Sequence, residues 1–246
     1  LHDDGDIGGQ RLPAPAGAGA PDHPPGVAAG GPLGTEHPTV PRPPRRRLSH
    51  RKGRDGGRPN MTDIRGPVHL VGIGGMHMSA IALLLRARGV AVSGSDLRPS
   101  DLTRKAEAAG ARVFTGHAAE NVPVDTALVV TTAAAQDDNP ELVEARRRGI
   151  PILLRAGMVA RLMEGKRVVA VAGAHGKTTT SSLIAHILVR AGRKPMYILG
   201  GESPDLGGHA AWGDGDVCVV EADEYKRAFH EYTPAIAVIT NVEPDH

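Results

Sequence analysis

The chain has 246 residues, 40% of them hydrophobic and only 2% aromatic, and a formal net charge of +2. That length suits one or two domains, and so small a charge gives no global pull toward nucleic acid or an anionic membrane. No apolar run approaches the ~18 residues needed to span a bilayer, and the lone cysteine, Cys218, cannot close an intrachain disulfide, so no membrane partner and a cytoplasmic location are expected. Cys218 lies within an apolar run and is expected as a small buried core residue.

Residues 1–60 contain 11 of the 20 prolines and none of the six aromatic residues. Such a segment cannot bury enough apolar surface to offset the entropy of ordering it, so residues 1–64 are expected to form a disordered Pro/Gly/Arg-rich tail. Its basic cluster runs from Arg42 through Arg45, Arg46, Arg47, Arg51, Lys52 and Arg54 to Arg58. No aromatics interleave these charges, so the cluster reads as a solvated charge run and not as a nucleic-acid surface. Met61 is the first methionine, and a native N-terminus at that residue is one reading of the tail.

From Pro67 the character changes. Val68-His69-Leu70-Val71 reads as a strand running into the turn Gly72-Ile73-Gly74-Gly75, and Met78 to Arg88 reads as a helix closed by Gly89. Val90 to Asp96 reads as a second strand ending in an acid, 22 residues after Gly74. This is a dinucleotide-binding layout, in which the acid meets a ribose hydroxyl. It departs at its third glycine, whose place is taken by His77. That weakens an NAD-dependent reading and still leaves a turn suited to a diphosphate. Helices over Leu102–Ala109, Pro140–Arg148 and Ala156–Met163 then alternate with strands over Arg112–Phe114, Thr126–Thr131 and Ile150–Leu153. The alternation predicts a doubly wound parallel sheet with ligands at the strand C-termini, spanning residues 65–160.

A second α/β unit opens at Arg167 and is expected over residues 161–246. Val168 to Ala172 reads as a buried strand, Gly173-Ala174-His175-Gly176-Lys177-Thr178-Thr179-Thr180 as a phosphate-binding loop, and Ser181 to Arg190 as a helix. Backbone N–H groups and the helix dipole would face the phosphates. Lys177 would reach the β/γ-phosphates and the Thr178 hydroxyl would sit on Mg²⁺. After a strand at Pro195–Leu199 and an irregular loop over residues 202–216, Val217 to Glu224 reads as an apolar strand whose end carries Glu221, Asp223 and Glu224. Thr178 and Glu221 are hard oxygen donors suited to Mg²⁺, with His246 as a further candidate. Ala235–Thr240 reads as another buried strand, giving a sheet of three or four strands and an unfinished last connection. The chain is therefore expected to be the N-terminal part of a longer protein.

Six segments recur in the order seen in the Mur ligases. They are Gly72-Ile73-Gly74-Gly75, Ser93-Gly94-Ser95-Asp96, Asp138-Asn139-Pro140-Glu141-Leu142, Gly173 to Thr180, Glu221-Ala222-Asp223-Glu224 and Asn241-Val242-Glu243-Pro244-Asp245-His246. The chain resembles that family over about residues 66–246. The resemblance implies an α/β fold with a Rossmann-like, UDP-substrate-binding domain followed by an incomplete P-loop-type ATPase domain. It implies an ATP- and Mg²⁺-dependent ligase that joins L-alanine to UDP-N-acetylmuramate through an acyl phosphate, in peptidoglycan precursor synthesis. By the same resemblance Gly173, Ala174, His175, Gly176, Lys177, Thr178 and Thr179 bind ATP, and Lys177 and His175 are catalytic. Gly74, Gly75 and Asp96 belong to the UDP surface, while Thr178, Glu221 and His246 hold metal. Ala174 replaces the family's usual threonine, which removes a hydroxyl and keeps the backbone cradle. Two rival readings stand beside this one: a ligase attaching a recycled tripeptide to the same UDP sugar, and a non-catalytic nucleotide-binding fragment. The truncated chain by itself is expected to be inactive in ligation.

Overall fold

The computed structural model describes residues 64, 66–222 and 231–243. The expected disordered tail, apart from Ile64, lies outside the described residues, as do Asp223, Glu224 and His246.

The first sheet is built from β1 (Val68–Val71), β2 (Val92–Asp96), β3 (Arg112–Thr115), β4 (Leu128–Thr131) and β5 (Ile152–Leu154). They are all parallel, in the order β3-β2-β1-β4-β5. Order reverses between β1 and β4, so the crevice at the C-terminal ends of these two strands is where such a sheet takes a ligand. The helices are α1 (Met76–Ala87), α2 (Asp101–Ala108), α3 (Pro140–Arg147) and α4 (Arg155–Leu162). α1 buries Met78, Ile81, Leu84 and Leu85 on the sheet, each worth about 1.5–3 kcal/mol relative to exposure. Local signals start and stop these helices. Ser100 and Thr103 form a reciprocal capping box on α2, and the Asn139 side chain caps α3 ahead of Pro140.

The second sheet contains β6 (Arg167–Ala172), β7 (Met196–Ile198), β8 (Ala210–Ala211), β9 (Val217–Glu221) and β10 (Ile236–Ile239), with α5 (Lys177–Arg190) following β6. Its order is β10-β6-β9-β7-β8, parallel except for the antiparallel β7–β8 pair. Three expectations are corrected here. Among the described residues the sheet has five strands, because the polar, glycine-rich loop over residues 202–216 contains β8, a two-residue strand with no periodicity to reveal it. α5 begins at Lys177, four residues before Ser181, because Gly176 in the left-handed region (φ 77°) ends the turn and starts the helix at once. Among the described residues β10 pairs with β6 alone, and Ile236 and Ile239 are exposed where a buried strand is expected. The core elsewhere is Val, Ala, Leu, Ile and Met, and it includes Cys218, whose thiol burial pushes up to about 12. Among the described residues no helix is long and apolar enough to cross a membrane.

One polar cluster crosses the first sheet. Glu141, in the first turn of α3 and fully buried, accepts from Ser95 Oγ (2.6 Å) and Asn121 Nδ2 (2.9 Å), and faces His69 Nε2 at 3.7 Å. His69 Nδ1 meets Ser93 Oγ at 2.8 Å, and His117 Nδ1 lies 2.9 Å from Ser95 Oγ. Burial alone would raise the Glu141 carboxyl, but the His69, Ser95 and Asn121 groups outweigh it and hold the carboxyl below its ordinary value. A carboxyl depressed in the fold stabilises above its unfolded pKa, and that contribution is lost as pH falls through the folded one. Glu141→Ala should therefore cost about 3 kcal/mol in denaturant unfolding at pH 7. Its stability should also fall less steeply than the native protein's as pH drops below about 4.5. Equal acid slopes for the two proteins would remove Glu141 from the acid response.

Candidate functional site

Two glycine turns leave strand C-termini and open helices. After β1, the Gly72 and Ile73 N–H groups both donate to Ser95 O (2.8 and 2.9 Å), and Gly75 N–H donates to Gly72 O (3.1 Å). Gly72 has φ +84°. Gly74 N–H donates to Asp96 Oδ2 at 2.9 Å, and a Cβ on Gly74 would lie 2.8 Å from that oxygen. Asp96 thus braces the turn as well as standing at the end of β2. The close packing that a third glycine would supply comes from β2: a Cβ on Gly94 would meet Leu70 O at 2.6 Å and Ile73 at 2.8 Å. His77 lies in the first turn of α1, and its Nδ1 lies 3.1 Å from Arg155 Nη1 at the start of α4. The α1 N-cap is Gly75, with no side-chain cap and no acid in the first turn.

After β6 the loop is tighter. Gly173 has φ +136°, and a Cβ there would lie 2.1 Å from Thr240 Oγ1 and 3.1 Å from the Asn241 backbone. Thr240 Oγ1 lies 2.6 Å from His175 O, and His175 N–H donates to Asn241 Oδ1 at 3.0 Å. The end of β10 therefore holds the loop from one side. Lys177 Nζ donates to Gly173 O (2.5 Å) and Ala174 O (3.3 Å). The His175 ring is 72% exposed and 3.6 Å from Glu243. Thr179 is exposed on the first turn of α5. Gly176, the N-cap, gives no side-chain cap, and no acid opposes the dipole. The amides and the dipole are thus left to an anionic ligand.

On the other side stands Glu221, the last residue of β9 and 7% exposed. Thr178 Oγ1 donates to Glu221, 2.9 Å from Oε2 and 3.2 Å from Oε1, and Gly200 N–H donates to Oε2 at 2.8 Å. Two hard oxygen donors in contact beside the Gly173–Gly176 loop suit a small divalent cation that keeps waters or ligand oxygens as its other ligands. Among the described residues no group of three His, Cys, Asp or Glu is placed to hold a metal. His246, the third candidate ligand, lies outside them. Neither Thr240 nor Gly200 is legible as a site residue from sequence, because the Thr240 hydroxyl donates to backbone carbonyls of the distant loop and Gly200 acts through one N–H and the lack of a side chain. Asn241 stood within a quoted motif without a role.

The family model described as "Mur ligase family, catalytic domain" matches residues 67–167, and "Mur ligase middle domain" matches 171–246. The chain is 50% identical over 179 residues to a UDP-N-acetylmuramate–L-alanine ligase of Carboxydothermus hydrogenoformans, covering 73% of this chain and 39% of that protein. It is 54% identical over 179 residues to the protein of the same name from Roseiflexus castenholzii, covering 72% and 37%. The solved UDP-N-acetylmuramate-alanine ligase of Thermotoga maritima superposes with TM-score 0.69 at 37% identity, covering 73% of this chain and 42% of that one. A Neisseria meningitides ligase of UDP-N-acetylmuramate and L-alanyl-γ-D-glutamyl-meso-diaminopimelate reaches TM-score 0.68 at 29% identity, covering 74% and 62%. The chain spans about two-fifths of the length of the curated relatives it matches.

The crowding at Gly173 makes a paired prediction. Gly165 also has positive φ, but no atom lies within 4 Å of a Cβ built there. Gly165→Ala should cost about 1 kcal/mol from backbone strain alone. Gly173→Ala adds the clash and should cost about 3 kcal/mol. Denaturant unfolding measures both, and equal costs would show that the loop does not depend on the Thr240 contact.

Proposed function

The chain belongs to the Mur ligase family, and from that premise we propose that it carries the UDP-substrate-binding and ATP-binding parts of a ligase joining L-alanine to UDP-N-acetylmuramate. Residues 65–160 would seat the UDP moiety and residues 161–246 the ATP. The observation that carries the reading is the pairing, at one strand-end crevice, of a glycine–lysine–threonine loop with a buried carboxylate. Thr178 Oγ1 lies 2.9 Å from Glu221 Oε2 beside the turn that Lys177 closes. The identities near 50% to proteins named as L-alanine ligases favour that acceptor.

In this mechanism Gly173 to Thr179 cradle the triphosphate of ATP with backbone N–H groups. Lys177 exchanges its carbonyl partners, Gly173 O and Ala174 O, for γ-phosphate oxygens and steadies the charge on the transferring phosphoryl group. Thr178 and Glu221 would hold Mg²⁺, which when bound supplies charge neutralisation to the crowded oxygens. Gly74, Gly75 and the uncapped start of α1 take the UDP diphosphate, and Asp96 orders that turn and meets the ribose. The muramoyl carboxylate attacks the γ-phosphorus and ADP leaves. The amino group of L-alanine then displaces phosphate from the acyl phosphate, forming the amide. A carboxylate is a poor electrophile, which is why ATP is spent. His175, exposed on the ATP-binding loop, would act where the carboxylate and phosphate meet. A cytoplasmic location accompanies a nucleotide-activated sugar and ATP as substrates.

The test is phosphate release from ATP by the product of the complete reading frame that carries this chain. UDP-N-acetylmuramate is supplied with either L-alanine or the tripeptide L-alanyl-γ-D-glutamyl-meso-diaminopimelate. Release with L-alanine is expected; release with the tripeptide alone would transfer the assignment to the peptide-attaching ligase. Lys177→Ala should lower kcat by about 10²–10³-fold with an unchanged unfolding midpoint. Undiminished turnover would remove the loop from the chemistry.

A further inference from the structure

The loop from β7 to β8 joins the two halves of the fold. It leaves β7 at Gly200, whose N–H holds Glu221, and passes Gly201, where a Cβ would lie 3.3 Å from the Thr178 methyl. Two side chains on it then reach the helices of the other sheet. Glu202 Oε1 pairs with Lys105 Nζ of α2 at 2.6 Å and with His209 Nδ1 at 2.9 Å. His209 Nε2 lies 2.8 Å from Ser79 Oγ of α1, 130 positions away in sequence, and both residues are 0% exposed. Ser79 Oγ also lies 2.9 Å from the Met76 carbonyl, one residue past the Gly72–Gly75 turn. Three residues after His209, Trp212 lies under Arg88 at the C-terminal end of α1, 4.6 Å from ring centroid to guanidinium carbon.

Burial pushes the His209 imidazole below its ordinary value, although Glu202 pulls the other way. With Nδ1–H given to Glu202, a neutral ring keeps Nε2 as an acceptor, and the one Ser79 hydroxyl proton is then shared between Nε2 and the Met76 carbonyl. Both ring nitrogens therefore have a polar partner within 3 Å in this arrangement of the two halves. The apolar contacts around them are non-directional and tolerate sliding. A buried histidine between a hydroxyl and a carboxylate does not, because a small slip leaves polar atoms without partners.

We propose that Ser79, His209, Glu202 and Lys105 form a positioning latch that registers the Gly72–Gly75 turn against the Gly173–Gly176 loop. One end of the latch is the first turn of the α1 helix. The other end is the loop that carries Gly200 and Gly201 onto Glu221 and Thr178. Transfer between ligands held on the two turns needs their spacing held to a fraction of an ångström. The purpose rests on the ligase reading, whereas the latch itself rests on geometry alone.

The test is the distance between the halves. Spin labels are placed at Glu107→Cys in α2 and Arg190→Cys at the end of α5, both exposed. Native Cys218 is buried, with its thiol pushed up to about 12, and stays unlabelled. Pulsed dipolar spectroscopy should give one narrow distance distribution. Ser79→Ala and His209→Ala should at least double its width, and Lys105→Arg should leave it narrow. Ser79→Ala places a good helix former in a helix and decides the matter if His209→Ala fails to fold. Unchanged mean and width in the folded variants would overturn the latch. In the complete ligase, His209→Ala should lower kcat at least tenfold while KM for ATP stays within twofold. A broadened distribution in a protein without ligase activity would leave the latch standing and remove only its purpose.

Discussion

The fold's second half depends on the carboxylate of Glu221. It is nearly buried, and a buried carboxylate is tolerated only when its oxygens are hydrogen-bonded. Its partners come from two directions: the Thr178 hydroxyl on α5 and the Gly200 N–H after β7. The same oxygens explain why Gly200 has no side chain, since a Cβ there would lie 2.4 Å from Oε2. One charged group therefore sets the approach of α5, the end of its own strand and the start of the loop leading to the other sheet. Glu141 has the corresponding part in the first sheet: from the first turn of α3 it accepts from Ser95 of β2 and Asn121 after β3, and it faces His69 of β1.

Helix starts divide by what satisfies them. α2 and α3 are closed by their own neighbours, Ser100 with Thr103 and Asn139 with Pro140. α1 and α5 start at glycines with no capping side chain and no acid in the first turn. A helix terminus left with donors and an uncompensated dipole favours an anion, and both of these termini follow glycine turns at the C-terminal ends of parallel strands. That pairing of two anion-ready turns, one per sheet, distinguishes the molecule from a simple dinucleotide-binding fold.

Sequence reasoning read the elements well where the signal was local. The runs Val68–Val71, Val168–Ala172 and Val217–Glu221 are continuous and apolar because parallel strands are covered on both faces. The two glycine turns announced themselves by residue type and spacing. Asp96 was singled out for a ribose, and its bond to Gly74 N–H is visible only once β2 lies beside β1. The helix start at Lys177 was placed late because its determinant is the backbone angle of Gly176, which residue identity permits without requiring. The apolar run of β10 predicts a buried strand, and it does not say which neighbours cover it; among the described residues only β6 pairs with it.

What the sequence by itself determined is the alternation of the longer strands and helices and the places of the two glycine turns. These depend on neighbours a few positions apart, whose geometry follows from backbone preferences and periodicity. What only the tertiary structure decided is which ends meet. The contacts of Gly173 with Thr240, Lys105 with Glu202 and Ser79 with His209 join positions between 67 and 130 residues apart. No local rule carries information over that distance. The pairing emerges when strand order and packing bring the side chains together, and buried polar atoms then accept only the partners that complete their hydrogen bonds.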